Sequence, residues 1–100
     1  MIKIKPDKIC RTLCSRCIGL MFSRKKTIVL EFKTERTISL HTIFVFYPIS
    51  LVFLDKNKKV VEIKKNILPF KTYTSKTKAK YVIELPKDIN LKIGNTVTFI

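Results

Sequence analysis

Glycine is nearly absent from this 100-residue chain, which has only Gly19 and Gly94. That excludes flexible glycine linkers and any glycine-rich loop able to cradle a phosphate. Acidic residues are also scarce, with Asp7, Glu31, Glu35, Asp55, Glu62, Glu84 and Asp88 as the whole supply. None has a local acid–base partner at useful spacing, so the paired carboxylates of general acid–base chemistry are not in evidence. His41 is the single histidine. The N-terminal residues alternate apolar and charged side chains and lack the apolar stretch of a secretion signal. No repeat or low-complexity tract interrupts the chain, which reads as a single domain over residues 1–100.

What is abundant is positive charge. Twenty-one Lys and Arg against seven Asp and Glu give a net charge of +14, and each half of the chain carries the same excess. Seventeen of the basic residues are Lys and four are Arg (Arg11, Arg16, Arg24 and Arg36). Such a surface attracts polyanions through counterion release without a specific site, so weak polyanion or nucleic-acid binding is an expected partner class. The aromatic-interleaved basic motifs of RNA-binding modules are missing. A lysine-rich composition also arises from codon bias or a hot habitat.

The longest uncharged run, Thr37 to Leu54, just reaches the length of a membrane-spanning helix. It contains Thr37, Ser39, His41, Thr42, Pro48 and Ser50 and is rich in β-branched and aromatic residues. Two buried strands broken at Pro48 account for it better than a membrane span.

Cys10, Cys14 and Cys17 have the C-x3-C-x2-C spacing that supplies thiolates to a four-iron cluster in radical S-adenosylmethionine enzymes. A chain this short cannot build the barrel that frames such a cluster, and zinc would need a fourth ligand, for which His41 is the only nitrogen candidate. On a helix over residues 8–18, the three thiols share one face with Leu13, and Met21 beyond it continues the same spacing, the stripe of a packed amphipathic helix. We therefore expect neither metal nor cofactor, and a cytoplasmic, reducing location suits an odd number of clustered cysteines.

The remaining pattern is that of strands. They are expected at Ile2 to Lys5, Thr27 to Phe32, Ile38 to Tyr47, Ser50 to Leu54, Val60 to Ile63, Tyr81 to Leu85 and Thr96 to Ile100. Asp55-Lys56-Asn57-Lys58 forms the polar turn of a hairpin, and Gly94-Asn95 marks a second turn. The expected fold is mainly β, within the β-rich α+β class. It is a compact antiparallel barrel or folded sheet of about six strands with one short N-terminal helix.

Several stretches in order resemble the small prokaryotic family catalogued as domain of unknown function 192. They are Gly19-Leu20-Met21-Phe22 with Arg24, Ser39-Leu40-His41 leading to Tyr47-Pro48-Ile49, Val52-Phe53-Leu54-Asp55 with Val60-Val61, Leu68-Pro69-Phe70, and Tyr81-Val82-Ile83-Glu84-Leu85-Pro86. The resemblance implies a compact β-rich fold and no established activity, substrate or cofactor. If members share a ligand site, the matching polar positions are Arg24, His41 and Asp55. The chain departs from the family pattern at Ser50 and Asn95, where aspartates are common, and at Asp88, where glycine is frequent. The expected function is a small non-catalytic binding or interaction module, the alternatives being non-specific nucleic-acid binding and metal binding through the cysteines. Asp55 has two candidate roles: capping the hairpin turn through its amides, or facing His41 and Arg24 as the acidic corner of a pocket.

Overall fold

The computed structural model describes residues 2–6, 8–10, 27–41, 49–68, 71–85 and 90–100. These residues are built from strands: β1 (Ile2–Ile4), β2 (Lys8–Cys10), β3 (Ile28–Arg36), β4 (Ser39–His41), β5 (Ile49–Leu54), β6 (Val60–Ile67), β7 (Thr72–Thr74), β8 (Ala79–Leu85) and β9 (Val97–Phe99). Five form one sheet in the order β2-β3-β8-β5-β6, and two short ribbons, β1-β9 and β4-β7, accompany it. The central pairings β3–β8, β8–β5 and β5–β6 are antiparallel, whereas β2–β3 and β1–β9 are parallel.

The sheet works because its strands are apolar on both faces. Register places Leu30, Val82 and Phe53 in one transverse row, and Val29, Ile83 and Val52 in a row on the opposite face. All six are fully buried. The first row belongs to a core with Ile28, Ile38, Ile49, Leu51 and Ile67, against which Tyr73 of β7 packs. The second belongs to a core with Leu54, Val60, Tyr81, Leu85 and Leu91, closed over by Ile4 of β1 and Val97 of β9. Each ribbon thus covers one face, which explains why continuous apolar runs rather than alternation mark these strands.

Three expectations are corrected here. The helix expected from Lys8 begins instead as a strand, because Lys8, Ile9 and Cys10 align with Ile28, Val29 and Leu30 along the edge of β3. An edge strand offers a row of unpaired backbone groups, and satisfying them outweighs a local helical spacing. Residues 11–18 of that expected helix lie outside the described residues, and no helix occurs among those described. Of the expected barrel or folded sheet, the barrel is not formed: among the described residues the main sheet is open, with β2 and β6 as its edges and the ribbons against its faces. The strand count is nine among the described residues rather than about six, since β2 and β7 are three-residue strands held by tertiary pairing.

Strand β6 carries two irregularities against β5, one between Ile49 and Leu51 and one between Phe53 and Leu54. At the first, Asn66 adopts φ 56° and its N–H donates to Ser50 Oγ at 3.4 Å. Asparagine tolerates this left-handed conformation better than most residues.

Candidate functional site

The hairpin between β5 and β6 is built around one carboxylate. Asp55 Oδ1 accepts the N–H of Asn57 at 2.8 Å and of Lys59 at 3.0 Å. The turn closes through Lys58 N–H on Asp55 O and Asp55 N–H on Lys59 O. Asp55 therefore performs the turn-capping role, satisfying amides that the reversal of the chain leaves without ladder partners. Lys58 sits at φ 61°, the left-handed position that such loops normally give to glycine.

The turn is also clamped from outside. Lys56 N–H donates to Glu35 Oε2 at 2.9 Å, linking it to the end of β3. Val97 N–H donates to Lys58 O, Val60 N–H to Asn95 O, and Gly94 N–H to Val60 O, linking it to the C-terminal segment. Asn95 Oδ1 in turn accepts Lys92 N–H at 2.9 Å.

These bonds fix an aromatic and cationic cluster. Register sets Tyr81 of β8 beside Leu54, the last residue of β5 before the turn. Tyr81 and Phe99 meet edge to face at 5.8 Å between ring centres. The Lys58 ammonium lies 5.7 Å from the Tyr81 ring centre and 5.5 Å from that of Phe99, and the Lys80 ammonium lies 5.4 Å from Tyr81. At these distances the ring quadrupoles attract the cations, which holds two positive charges on one aromatic pair.

Two further carboxylates occupy the face covered by β7. Glu62, in register with Phe53, accepts hydrogen bonds from the Tyr73 hydroxyl on Oε2 and, on Oε1, from the N–H groups of Lys76 and Thr77 and the Thr77 hydroxyl. Burial raises its pKa, but these donors outweigh that and the net result lies below 4.5. Burial, then the hydrogen bond to Glu62 and its charge, push Tyr73 up to about 12. Glu62 therefore works as an anchor for the β7–β8 connection.

Glu84 has the opposite setting. It stands in register between Ile28 and Leu51, and among the described residues no donor offsets the burial of its carboxyl. Burial raises its pKa from 4.5 to about 8, so the group holds its proton at neutral pH. A neutral buried acid can donate a hydrogen bond or exchange a proton near neutrality. Among the described residues it has no hydrogen-bonded nucleophile or second acid–base group beside it.

Of the polar positions drawn from the family resemblance, Asp55 is placed as the turn cap. His41 ends β4 in register with Thr72, its side chain outside the described set, and Arg24 lies outside the described residues. So do Cys14, Cys17 and the side chain of Cys10. Among the described residues no group of three or more His, Cys, Asp or Glu side chains is arranged to hold a metal ion.

Sequence reasoning passed over Glu62, Glu84 and the Lys58–Tyr81–Lys80 cluster. A signal for Glu84 exists, since it is the lone charge within Tyr81-Val82-Ile83-Glu84-Leu85, a run too apolar for a solvated face. Lys58 and Lys80 carry none, because they meet only through pairing of strands distant in sequence.

The model of the domain of unknown function 192 family, described as Uncharacterized ACR, matches residues 7–99. The chain belongs to that family. Among its relatives, UPF0127 protein PH1112 of Pyrococcus horikoshii is 30% identical over 89 residues, covering 86% of this chain and 76% of that protein. A UPF0127 protein of Thermococcus sibiricus is 33% identical over 98 residues, covering 90% of this chain and 63% of the relative. Two crystal structures share the fold. One, a protein of unknown function from Novosphingobium aromaticivorans, has a TM-score of 0.78 at 17% identity, covering 86% of this chain and 69% of that one. The other, from Sinorhizobium meliloti and provisionally described as a transcription regulator, has a TM-score of 0.74 at 20% identity, covering 79% and 66%. The family's description names no activity.

Proposed function

We propose that this chain is a small, single-domain, non-catalytic binding module of the cytoplasm that recognises polyanions by electrostatic contact. The observation that carries the reading is the convergence of the Lys58 and Lys80 ammoniums on Tyr81, at a place where the nearby carboxylates of Asp55 and Glu35 already accept backbone amides. Those two acids are held in the turn and keep their charge, but the lysines of the turn and of β8 outnumber them, so the local excess offered to a partner is positive. The net charge of +14 supplies the long-range attraction, and the clustered, odd-numbered cysteines favour a reducing compartment.

Among the described residues no helix is long and apolar enough to cross a membrane. A ligand pocket formed by Arg24, His41 and Asp55 is a weaker proposal, because Oδ1 of Asp55 already takes two turn amides.

Retention on immobilised heparin tests the polyanion reading. The module is expected to stay bound at about 150 mM salt and to elute as salt rises further, as counterion release requires. Elution well below that concentration would mean that the charge serves solubility alone.

A further inference from the structure

We infer that the end of the five-stranded sheet bearing the β5–β6 turn docks on the phosphate backbone of duplex DNA, an inference that rests on the polyanion reading above and names its surface and partner. The charges that gather there come from three separate stretches. Lys56, Lys58 and Lys59 belong to the turn. Lys78 and Lys80 flank Ala79, the start of β8, which pairs with Arg36 at the end of β3. Lys92 belongs to the C-terminal segment bonded to the turn through Gly94 and Asn95. Lys56, Lys59, Lys78 and Lys92 are exposed, and Lys58 and Lys80 are half-buried against the rings. Opposing charge on this side comes from Glu35 and Asp55, both bonded to backbone amides, and from Glu31, in register with Tyr81.

The chemistry favours a duplex over a single strand. Proteins that grip single strands stack bases on open aromatic faces. Here Tyr81 is 8% exposed, and two ammoniums lie over the ring system. Tyr81 therefore offers bases no open face, and what remains around it is contact between lysine and phosphate, which is richest where phosphates are densest. The lysines offer point charges rather than planar forks, and Arg36 at this end lies 6.0 Å from the Phe32 ring centre, so the lysine contacts proposed here read no base sequence.

The test is the salt dependence of binding to a 20-base-pair duplex, to the single strand of the same sequence and to heparin, using the whole chain. Affinity for the duplex should exceed that for the single strand and be indifferent to sequence. Removing one lysine that touches a phosphate should lower the magnitude of the slope of log K against log salt by about 1. The pair Lys58→Gln and Lys80→Gln should thus reduce it by about 2. Because that pair also removes the cations from the rings, the exposed pair Lys56→Gln and Lys59→Gln should be measured too, and should act alike while leaving the rings as they are. Lys64→Gln with Lys65→Gln, on the far part of β6, should leave the slope unchanged.

A slope that responds to the Lys64 and Lys65 pair but not to the turn pairs would overturn this surface. Tighter binding to the single strand, or binding to heparin without binding to the duplex, would overturn the partner while leaving the polyanion reading intact. Failure to bind any of the three would overturn that reading itself.

Discussion

Glu62 and Glu84 face the same side of one sheet yet depart from the ordinary carboxylate value in opposite directions. The register shows the shared side, because Glu62 pairs with Phe53, Phe53 with Val82, and Val82 lies two residues before Glu84 on β8. Both residues expose little surface, but the Glu84 carboxyl lies far deeper than that of Glu62, and among the described residues only Glu62 has donors. Glu62 stands on the edge strand, where the β7–β8 connection brings amides and hydroxyls to it, whereas Glu84 lies on the central strand between Ile28 and Leu51. Burial alone penalises charge, and donors offset the penalty only where the fold delivers them.

The raised pKa of Glu84 predicts how stability changes with pH. The folded protein holds this proton up to about pH 8, while the unfolded chain releases it near 4.5, so between those values the native state binds more protons. Stability should fall as pH rises through that window, by at most about 1.4 kcal/mol per pH unit from this group. Chemical denaturation at pH 5 to 9 should show the decline in the wild type and its disappearance in Glu84→Gln.

Glu62 predicts the reverse limb at lower pH. Its native pKa is depressed, so its stabilisation is present above about 4.5 and is lost as pH falls through the lower native value. Glu62→Ala should cost about 2–3 kcal/mol, since it strips charge-assisted bonds from Tyr73, Lys76 and Thr77, whereas Tyr73→Phe should cost about 1 kcal/mol. Denaturation midpoints at neutral pH would measure both, and a Tyr73→Phe cost equal to that of Glu62→Ala would contradict the role of the amides.

Asp55→Ala should destabilise the hairpin by about 0.5–2 kcal/mol, by analogy with the removal of a helix cap. Asp55→Asn retains an acceptor oxygen and should recover most of that loss. Thermal melts of the two variants separate capping from a bulk charge effect, because both remove the negative charge.

Gly94 has φ 97° and nothing within 4 Å of where a Cβ would stand. Gly94→Ala should nonetheless destabilise by about 1 kcal/mol, through backbone conformation rather than collision. Its effect should also appear at the β5–β6 turn, because Gly94 N–H bonds to Val60 O. Hydrogen exchange of the Lys58 and Val60 amides would detect it, and unchanged protection there would show that the two turns are independent.

The hairpin is legible in the linear chain, since Asp55 to Lys58 lies between apolar runs and an aspartate in that place caps amides nearby in the chain. The N-terminal strand Lys8–Cys10 is not, because the cysteine spacing obeys a helical period and only the edge of β3 offers the alternative. The short β7 escapes for a related reason: Thr72-Tyr73-Thr74 is too brief to signal a strand, and its partner β4 lies some thirty residues earlier.

The sequence by itself determined a β-rich, cationic chain of this family, because apolar runs, turn residues and net charge are local or additive properties. Only the tertiary structure decided that the sheet stays open beneath two ribbons, that Glu62 is bonded while Glu84 stays protonated, and that Lys58 and Lys80 share the Tyr81 ring. Each of those depends on residues brought together from distant strands. A side chain's environment is set by the neighbours the fold supplies, and a linear pattern records the side chain without them.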